Sequence, residues 1–185
     1  MEACLIVTYR CNAKCYMCHT WQYPSKKDEE FSSDLLDKLP SGLSFINITG
    51  GEPFLRSDIE EIIEKALKKT KRLVISTNGY FTDKIVKLAE RYGNRIGVRI
   101  SIEGLPAAND ELRGIENGFD HGLRTLVTLH GMGIKDIGFG ITVSDRNVKD
   151  MIELYRLANA VGLEFATAVT HNSYYFHKLD NEFED

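Results

Sequence analysis

Six short apolar runs alternate with helical patterns along the chain. The runs are rich in β-branched side chains, and their length is typical of buried strands. They span residues 3–9, 45–49, 73–77, 97–102, 137–143 and 163–170.

The segments between the runs predict helices. Ser57 and Glu60 have the spacing of a capping box, which indicates a helix start. The apolar side chains behind it share one helical face: Ile59, Ile62, Ile63, Ala66 and Leu67.

Four other helices are predicted from caps and stops. A short one covers residues 32–39, and another covers 118–132. Thr82 caps a helix that ends at Gly93, since glycine suits the left-handed cap. Asn147 caps the last helix, which ends at Gly162. Its inward side chains are expected to be Val148, Met151, Ile152 and Tyr155.

The order of these elements predicts an α/β fold. Strands that alternate with helices pair in parallel through right-handed crossovers. A full eight-unit barrel needs about 250 residues, and this chain has 185. We therefore expect a partial (β/α)6 TIM-like barrel of parallel strands. A doubly wound open sheet is the alternative, but no glycine-rich dinucleotide fingerprint follows the first run.

Composition and charge narrow the partners. The net charge is −4 and the isoelectric point about 5.8, so no basic field predicts nucleic acid binding. No apolar stretch approaches a membrane span and no targeting segment opens the chain, so we expect no membrane and a cytoplasmic location. No linker divides residues 1–172, which we assign to one domain. Residues 173–185 are expected to be an acidic tail or the start of a C-terminal extension.

Polar residues and glycines follow the carboxyl end of every run. Parallel α/β folds bind ligands at these ends, so the residues are expected to meet at one rim. Thiols, carboxylates and hydroxyls gathered at one rim predict an enzyme. After the cysteines, these segments are 49–53, 76–79, 101–104, 142–144 and 170–172.

Three of the four cysteines have the spacing Cys11-x-x-x-Cys15-x-x-Cys18. Clustered reduced thiols usually bind metal or do redox chemistry. A structural zinc site needs a fourth ligand. His19 directly follows Cys18, and two consecutive residues would strain a tetrahedral site. The C-x-x-C-H pattern also matches haem attachment, which leaves Cys11 unexplained. A [4Fe-4S] cluster on three cysteines would leave one iron open. The fourth cysteine, Cys4, is expected to be a buried small hydrophobe.

The cysteine spacing after the first run, followed by Gly50-Gly51-Glu52-Pro53 after the second, resembles the radical S-adenosylmethionine (radical SAM) superfamily. The resemblance covers residues 3 to about 172 and implies a [4Fe-4S] cluster on Cys11, Cys15 and Cys18, with S-adenosylmethionine on the open iron. Reductive cleavage would give a deoxyadenosyl radical that takes hydrogen from a peptide, sugar or small-metabolite substrate. The implied electron donor is a flavodoxin or ferredoxin.

The resemblance also implies cofactor contacts. Gly50, Gly51 and Glu52 would meet the methionine amino group. Ser101 and Glu103, on one face of the fourth run, match residues that hold the ribose or carboxylate. Arg113 resembles an arginine that meets the cofactor carboxylate, although a surface salt bridge is the alternative for it.

Several other residues keep two interpretations. Asn78 is a turn residue or lines the site. Residues 142–144 touch adenine or pack at a strand end. His171 and Tyr174 are taken as structural, and no catalytic side chain is predicted on the substrate side.

Two other functions remain open at this point. One is an iron–sulfur electron-transfer or sensor protein without radical chemistry, and the other is a zinc-stabilised binding module. The Gly-Gly-Glu segment favours the radical SAM enzyme, because neither alternative needs a site for a cofactor ammonium group.

Overall fold

Six parallel strands form the centre of the computed structural model, which describes residues 1–181. The strands are β1 (Glu2–Ile6), β2 (Phe45–Thr49), β3 (Leu73–Thr77), β4 (Gly97–Ser101), β5 (Ile137–Val143) and β6 (Glu164–Val169). The α-helices are α1 (Ile59–Leu67), α2 (Thr82–Tyr92), α3 (Pro106–Arg113), α4 (Gly118–Gly131) and α5 (Val148–Ala160). Short 3₁₀ helices cover Thr20–Gln22, Ser33–Lys38, Pro53–Leu55 and Gly93–Arg95.

The strand order confirms the predicted fold class. Each strand pairs in parallel with the next strand in sequence, from β1 to β6. In a doubly wound sheet, the order of the strands reverses at a switch point. The order here does not reverse, so that alternative is wrong. The result is an α/β partial barrel.

Side-chain alternation separates a helix-covered face from an open face. Ile48, Ile75 and Ile100 lie on the covered face and are fully buried in the main core. The neighbouring positions in the strands face the other way, and Ser76 and Ser101 among them line a cavity. The apolar runs therefore build the core, while their polar members face the concave side.

β1 is shorter than predicted and ends at Ile6. It is an edge strand, paired only with β2. Cys4 points to the open face of this edge and is exposed, so the prediction that it is buried was wrong.

The predicted capping box does not form. α1 begins after Asp58, with no side-chain cap. Arg56 Nε donates to Asp58 Oδ1 at 2.7 Å, so this carboxylate is occupied by the arginine. The predicted apolar face is confirmed, because Ile59, Ile62, Ile63 and Ala66 are buried.

Two other predicted helix starts change in detail. Thr82 is the first residue of α2 rather than its cap, and its hydroxyl lies 2.7 Å from Thr125 Oγ1 on α4. The segment predicted at 32–39 is a 3₁₀ helix, in which Ser32 accepts a hydrogen bond from the Asp34 amide.

The predicted inward face of α5 was wrong for three of its four residues, whereas Met151 is partly buried against the core. Leu154 and Ala158 are fully buried, whereas Val148, Ile152 and Tyr155 are 46%, 54% and 55% exposed. The helix carries apolar residues on two sides, and contact with β5 and β6 selects the side of Leu154. Asn147 stands at the helix start, but its Oδ1 accepts from the Ser144 amide at 2.7 Å.

The helix α3 was missed. It lies between β4 and α4, so this crossover contains two helices. Its sequence, PAANDELR, offers few apolar positions to reveal a periodicity. Pro106 at its start and the left-handed Gly114 at its end (φ 55°) were the available signals.

Residues 170–181 turn back from β6 towards the cysteine loop, which is the loop after β1 that carries Cys11, Cys15 and Cys18. The His19 amide donates to the Phe176 carbonyl at 2.8 Å, and Asn181 Nδ2 donates to the Met17 carbonyl at 3.2 Å. The domain boundary at residue 172 stays a prediction, and residues 182–185 lie outside the described part. Among residues 1–181, the helices are too short and too polar to cross a membrane.

We predict that Leu154→Ala lowers the free energy of unfolding by about 2–5 kcal/mol, because it opens a cavity in the core. Ile152→Ala, two residues earlier on the exposed side, should change it by no more than about 0.5 kcal/mol. Urea unfolding with comparison of the midpoints and slopes measures both values. Equal losses from the two variants would contradict the observed orientation of α5.

Candidate functional site

One cavity of about 180 Å³, partly open to solvent, lies at the carboxyl ends of the strands. Its wall includes residues from all six strand ends or the loops that follow them. It contains eight of the nine residues predicted for cluster or cofactor binding. These are Cys11, Cys15, Cys18, Gly50, Gly51, Ser101, Glu103 and Arg113.

The cysteine loop is held against α3 by its backbone. The amides of Lys14 and Tyr16 donate to the carbonyls of Arg113 and Leu112, at 2.9 and 2.8 Å. These two bonds flank Cys15 on both sides. Leu112 also belongs to a small buried cluster with Ala13, Cys15 and Met17. The missed helix therefore fixes the position of the loop.

The approach of the loop to α3 leaves no room for a side chain at Gly114. A Cβ there would lie 2.6 Å from the Lys14 carbonyl oxygen. The residue also has a positive φ, which glycine tolerates best. Gly114 thus ends α3 and admits the cysteine loop at the same point.

The three thiols differ in burial but line the same cavity. Cys15 is buried, and Cys11 and Cys18 are half-buried. Burial raises the pKa of Cys11 to about 12 and also raises the pKa of Cys15. Thiols in such surroundings stay protonated unless a cation stabilises the thiolate. Metal binding supplies that cation and releases the protons.

The number of thiols in the cavity wall bears on the kind of group they could hold. Cys11, Cys15 and Cys18 line the same cavity. The thiolates of an iron–sulfur cluster bind different iron atoms, so three cysteines suit a cluster with one iron left open.

Gly50 and Gly51 pack directly on the loop that follows β1. The Gly51 amide donates to the Thr8 carbonyl at 2.7 Å. A Cβ at Gly50 would lie 2.4 Å from that oxygen, and one at Gly51 would lie 2.2 Å from the Arg10 carbonyl oxygen. Only glycine fits both positions. Their bare backbone therefore forms one wall of the cavity.

Glu52 lies behind this wall rather than in it. Its carboxylate is fully buried and accepts hydrogen bonds from the Phe54 amide at 3.0 Å, the Thr77 hydroxyl at 2.8 Å and the Asn78 amide at 2.8 Å. Burial raises the pKa of Glu52, and these three donors oppose the rise. The side chain ties the loop after β2 to the end of β3. The structure thus gives the carboxylate partners other than the cavity.

Ser101, Glu103 and Arg113 are brought together as predicted. Ile102, between the two strand residues, points to the core and is fully buried. Arg113 Nη1 donates to Glu103 Oε1 at 2.8 Å, and Glu103 Oε2 accepts from the Thr142 amide at 2.7 Å. Both side chains of the ion pair are at most 10% exposed, so the surface salt bridge considered for Arg113 is wrong.

The guanidinium of Arg113 keeps hydrogen-bonding capacity. Its Nε is buried and has no partner among the described residues. Burial raises the pKa of Glu103, which Arg113 counteracts most strongly. A buried cation with an unused donor in the cavity wall suits an anionic group such as a carboxylate.

Both interpretations of Asn78 apply. Its Oδ1 accepts a hydrogen bond from the Tyr80 amide at 3.0 Å, as in a turn, and its side chain also lines the cavity. Its Nδ2 donates to Asn12 Oδ1 at 2.8 Å. Asn78 therefore links the end of β3 to the cysteine loop.

Among the remaining candidates, some line the cavity and others lie outside its wall. Thr142 lines the cavity, whereas Ser144 is buried against Asn147. His171 lines the cavity and stacks edge-on against Phe176 at 5.5 Å between ring centres. Tyr174 is 85% exposed and lies outside the cavity wall.

Several residues of the wall were not predicted as site residues, and three of them carry a hydroxyl group or an aromatic ring. Thr20 and Trp21 follow the third cysteine of the motif, and Phe176 comes from the segment after β6. Trp21 is the only tryptophan of the chain. Its place beside the cysteine motif was a signal in the sequence, whereas Phe176 carried none.

Comparison with known proteins matches residues 5–158 to the family model described as the radical SAM superfamily. The chain is 37% identical over 162 residues to Fe-coproporphyrin III synthase of Methanosarcina barkeri, covering 82% of this chain and 39% of that protein. It is 30% identical over 161 residues to mycofactocin maturase MftC of Mycolicibacterium smegmatis, covering 84% of this chain and 41% of that protein.

Among solved structures, the fold is similar to SuiB of Streptococcus suis bound to S-adenosylmethionine, with a TM-score of 0.79 and 18% identity. The match covers 99% of this chain and 44% of SuiB. This chain thus spans less than half the length of these relatives. At this identity, the likeness to SuiB shows the fold.

We predict that anaerobic reconstitution with iron and sulfide quenches the fluorescence of Trp21, because a cluster on the three cysteines would accept its excitation energy. Emission at 340 nm is followed against iron content, with mock treatment lacking iron and sulfide as the control. Trp21→Phe should load iron equally and show no such signal. Full iron loading with unchanged emission would contradict the placement of Trp21 beside the cysteines.

Proposed function

This chain belongs to the radical SAM superfamily, and from that membership we propose that it forms the catalytic part of a radical SAM enzyme. The family uses a [4Fe-4S] cluster and S-adenosylmethionine. The observation that carries the proposal is the common cavity. Three thiols, a glycine wall and a buried arginine meet there, and each suits one part of this cofactor pair.

Cys11, Cys15 and Cys18 would hold the cluster. Three thiolates leave one iron without a protein ligand, and that iron is available to a small chelating molecule. The hydrogen bonds of Lys14 and Tyr16 to α3 keep Cys15 in place before the metal arrives. We infer that the loop is preorganised for the cluster rather than shaped by it.

The opposite wall would hold S-adenosylmethionine. Gly50 and Gly51 offer bare backbone for close approach to its amino group. Arg113 would bind its carboxylate, with Glu103 holding the guanidinium in position. Ser101, on the strand next to that pair, is proposed to contact the ribose or carboxylate.

Glu52 is proposed to act mainly through the glycine wall. The amino group of S-adenosylmethionine was its expected partner, and this contact stays a prediction. Because its carboxylate already accepts three hydrogen bonds within the protein, its loss would move the wall itself. We expect the displaced wall and the lost contact with the amino group each to weaken cofactor binding.

When bound, the cofactor pair supplies reductive cleavage of a carbon–sulfur bond and abstraction of hydrogen from the substrate. The protein limits access of water to this chemistry. Met17 and Phe176 line the cavity. The Phe176 carbonyl accepts a hydrogen bond from the His19 amide, which holds residues 170–181 against the cysteine loop. Apolar walls of this kind favour productive encounters over side reactions.

The substrate is proposed to be a peptide or a small molecule such as a sugar or another metabolite. The relatives include a coproporphyrin synthase and a mycofactocin maturase by name, and SuiB has been solved with a precursor peptide bound. Ala168, Val169 and His171 give the β6 side of the cavity a wall free of the cofactor residues. We propose that the substrate lies against this side. The proposed electron donor is a flavodoxin or ferredoxin, and the proposed location is the cytoplasm, where thiols stay reduced.

The test is product formation under anaerobic conditions. Reconstituted protein should show broad iron–sulfur absorbance, and dithionite with S-adenosylmethionine should then yield 5′-deoxyadenosine and methionine, measured by chromatography. Full cluster loading without deoxyadenosine would overturn the enzyme proposal and favour an electron-transfer or sensor protein.

Cys15→Ala should abolish both the absorbance and the product, because it removes the most buried thiol of the three. Cys4→Ala is the matched control, since Cys4 is exposed on β1, and it should retain both. Unchanged iron loading in Cys15→Ala would contradict the ligand assignment.

A further inference from the structure

A threonine hydroxyl contacts one of the proposed cluster ligands. Thr20 Oγ1 lies 3.2 Å from Cys18 Sγ, within hydrogen-bonding distance for sulfur. Thr20 is the first residue of the 3₁₀ helix Thr20–Gln22 and is 2% exposed. Its backbone carbonyl accepts from the Tyr23 amide at 3.0 Å, which fixes the residue in the turn. The contact is therefore part of a defined local structure.

The direction of this hydrogen bond follows from the chemistry of the sulfur. Between a thiol and a hydroxyl, either group can donate. A metal-bound cysteine has lost its proton, so its sulfur can only accept. In the loaded protein, Thr20 must donate to Cys18.

The three proposed ligands differ in the donors that face them. Cys11 Sγ accepts from the Ala13 amide at 3.4 Å, a bond that the loop backbone supplies. Cys15 lies in the small apolar cluster with Leu112 and Met17. Cys18 is the one of the three with a hydroxyl donor in the described structure. This donor can be removed without changing the backbone.

We propose that Thr20 raises the reduction potential of the cluster by donating to Cys18 Sγ. This inference rests on the proposed function, since it requires a cluster on the three cysteines. Reduction adds one electron from an external low-potential donor and breaks no bond. Part of the added negative charge falls on the ligand sulfurs. A hydrogen bond to such a sulfur stabilises the reduced form more than the oxidised form.

The location makes this effect substantial. Thr20 is 2% exposed, so solvent screens the interaction of its hydroxyl with Cys18 only weakly. Electrostatic interactions are also stronger in such surroundings than in solvent. Thr20 acts through Cys18, so it is a positioning residue for electron entry rather than a catalytic residue.

The experiment compares midpoint potentials without S-adenosylmethionine. Wild-type protein, Thr20→Val and Thr20→Ser are reconstituted and poised with dithionite and mediators, and the reduced cluster is quantified by electron paramagnetic resonance. Thr20→Val keeps the branched shape but removes the donor, so its midpoint should be more negative. At the wild-type midpoint, its ratio of reduced to oxidised cluster should fall several-fold. Thr20→Ser keeps the donor and should stay close to wild type.

Ser76→Ala is the matched control. Ser76 lines the same cavity, but its hydroxyl donates to Asn47 Oδ1 at 3.0 Å and not to a thiol. Its midpoint should equal that of the wild type. Equal shifts in Ser76→Ala and Thr20→Val would show a general effect of cavity hydroxyls and overturn the proposal.

Equal midpoints for wild type and Thr20→Val, with full iron content in both, would also overturn it. If Thr20→Val does not load, Thr20→Ala takes its place, because its smaller side chain cannot crowd the cluster. If neither loads, the wild-type cluster is examined for a coupled exchangeable deuteron after transfer to D₂O. Absence of that coupling would overturn the proposal. Failure of the wild type to load any cluster would instead refute the proposed function.

Discussion

Two backbone hydrogen bonds hold the cysteine loop to the end of α3, and the geometry of the site depends on them. The amides of Lys14 and Tyr16 donate to α3 carbonyls on both sides of Cys15. The last residue of α3, Arg113, is also the cation of the cavity. The same short helix thus positions the loop proposed to bind the cluster and the side chain proposed to bind the cofactor carboxylate. A shift of α3 would displace both together, so the two proposed binding sites share one support.

The buried charges of this site lie in two layers, one at the cavity wall and one behind it. Glu103 pairs with Arg113 at the cavity wall, whereas Glu52 sits behind the glycines and relies on backbone amides and a hydroxyl. Buried carboxylates without such partners would be strongly destabilising. The glycines make the layering possible, because their missing side chains let the loops after β1 and β2 touch. The outer layer lines the cavity, and the inner layer holds the loops in position.

The sequence was sufficient for the strands and for the identity of the rim. Buried parallel strands are continuous apolar runs, so three of the six matched the structure in both bounds, and motifs at their ends located the cavity. Contacts between distant segments were not readable. The polar α3 shows little periodicity, the two-sided α5 was oriented by the sheet, and Cys4 is exposed because β1 is an edge. The place of Glu52 behind the wall also depends on Thr77 and Asn78, which belong to another strand end.

The return of the chain from β6 to the cysteine loop has a consequence for biogenesis. Asn181 donates to the carbonyl of Met17 across 164 residues of sequence. Such distant contacts form late, since a long loop must close before they contribute. During synthesis, the cysteines leave the ribosome long before the segment that covers them. The nascent thiols are therefore open to oxidation or to the wrong metal until residues 170–181 have been made and have docked, so a cluster of the proposed kind would best be inserted after β6 has docked.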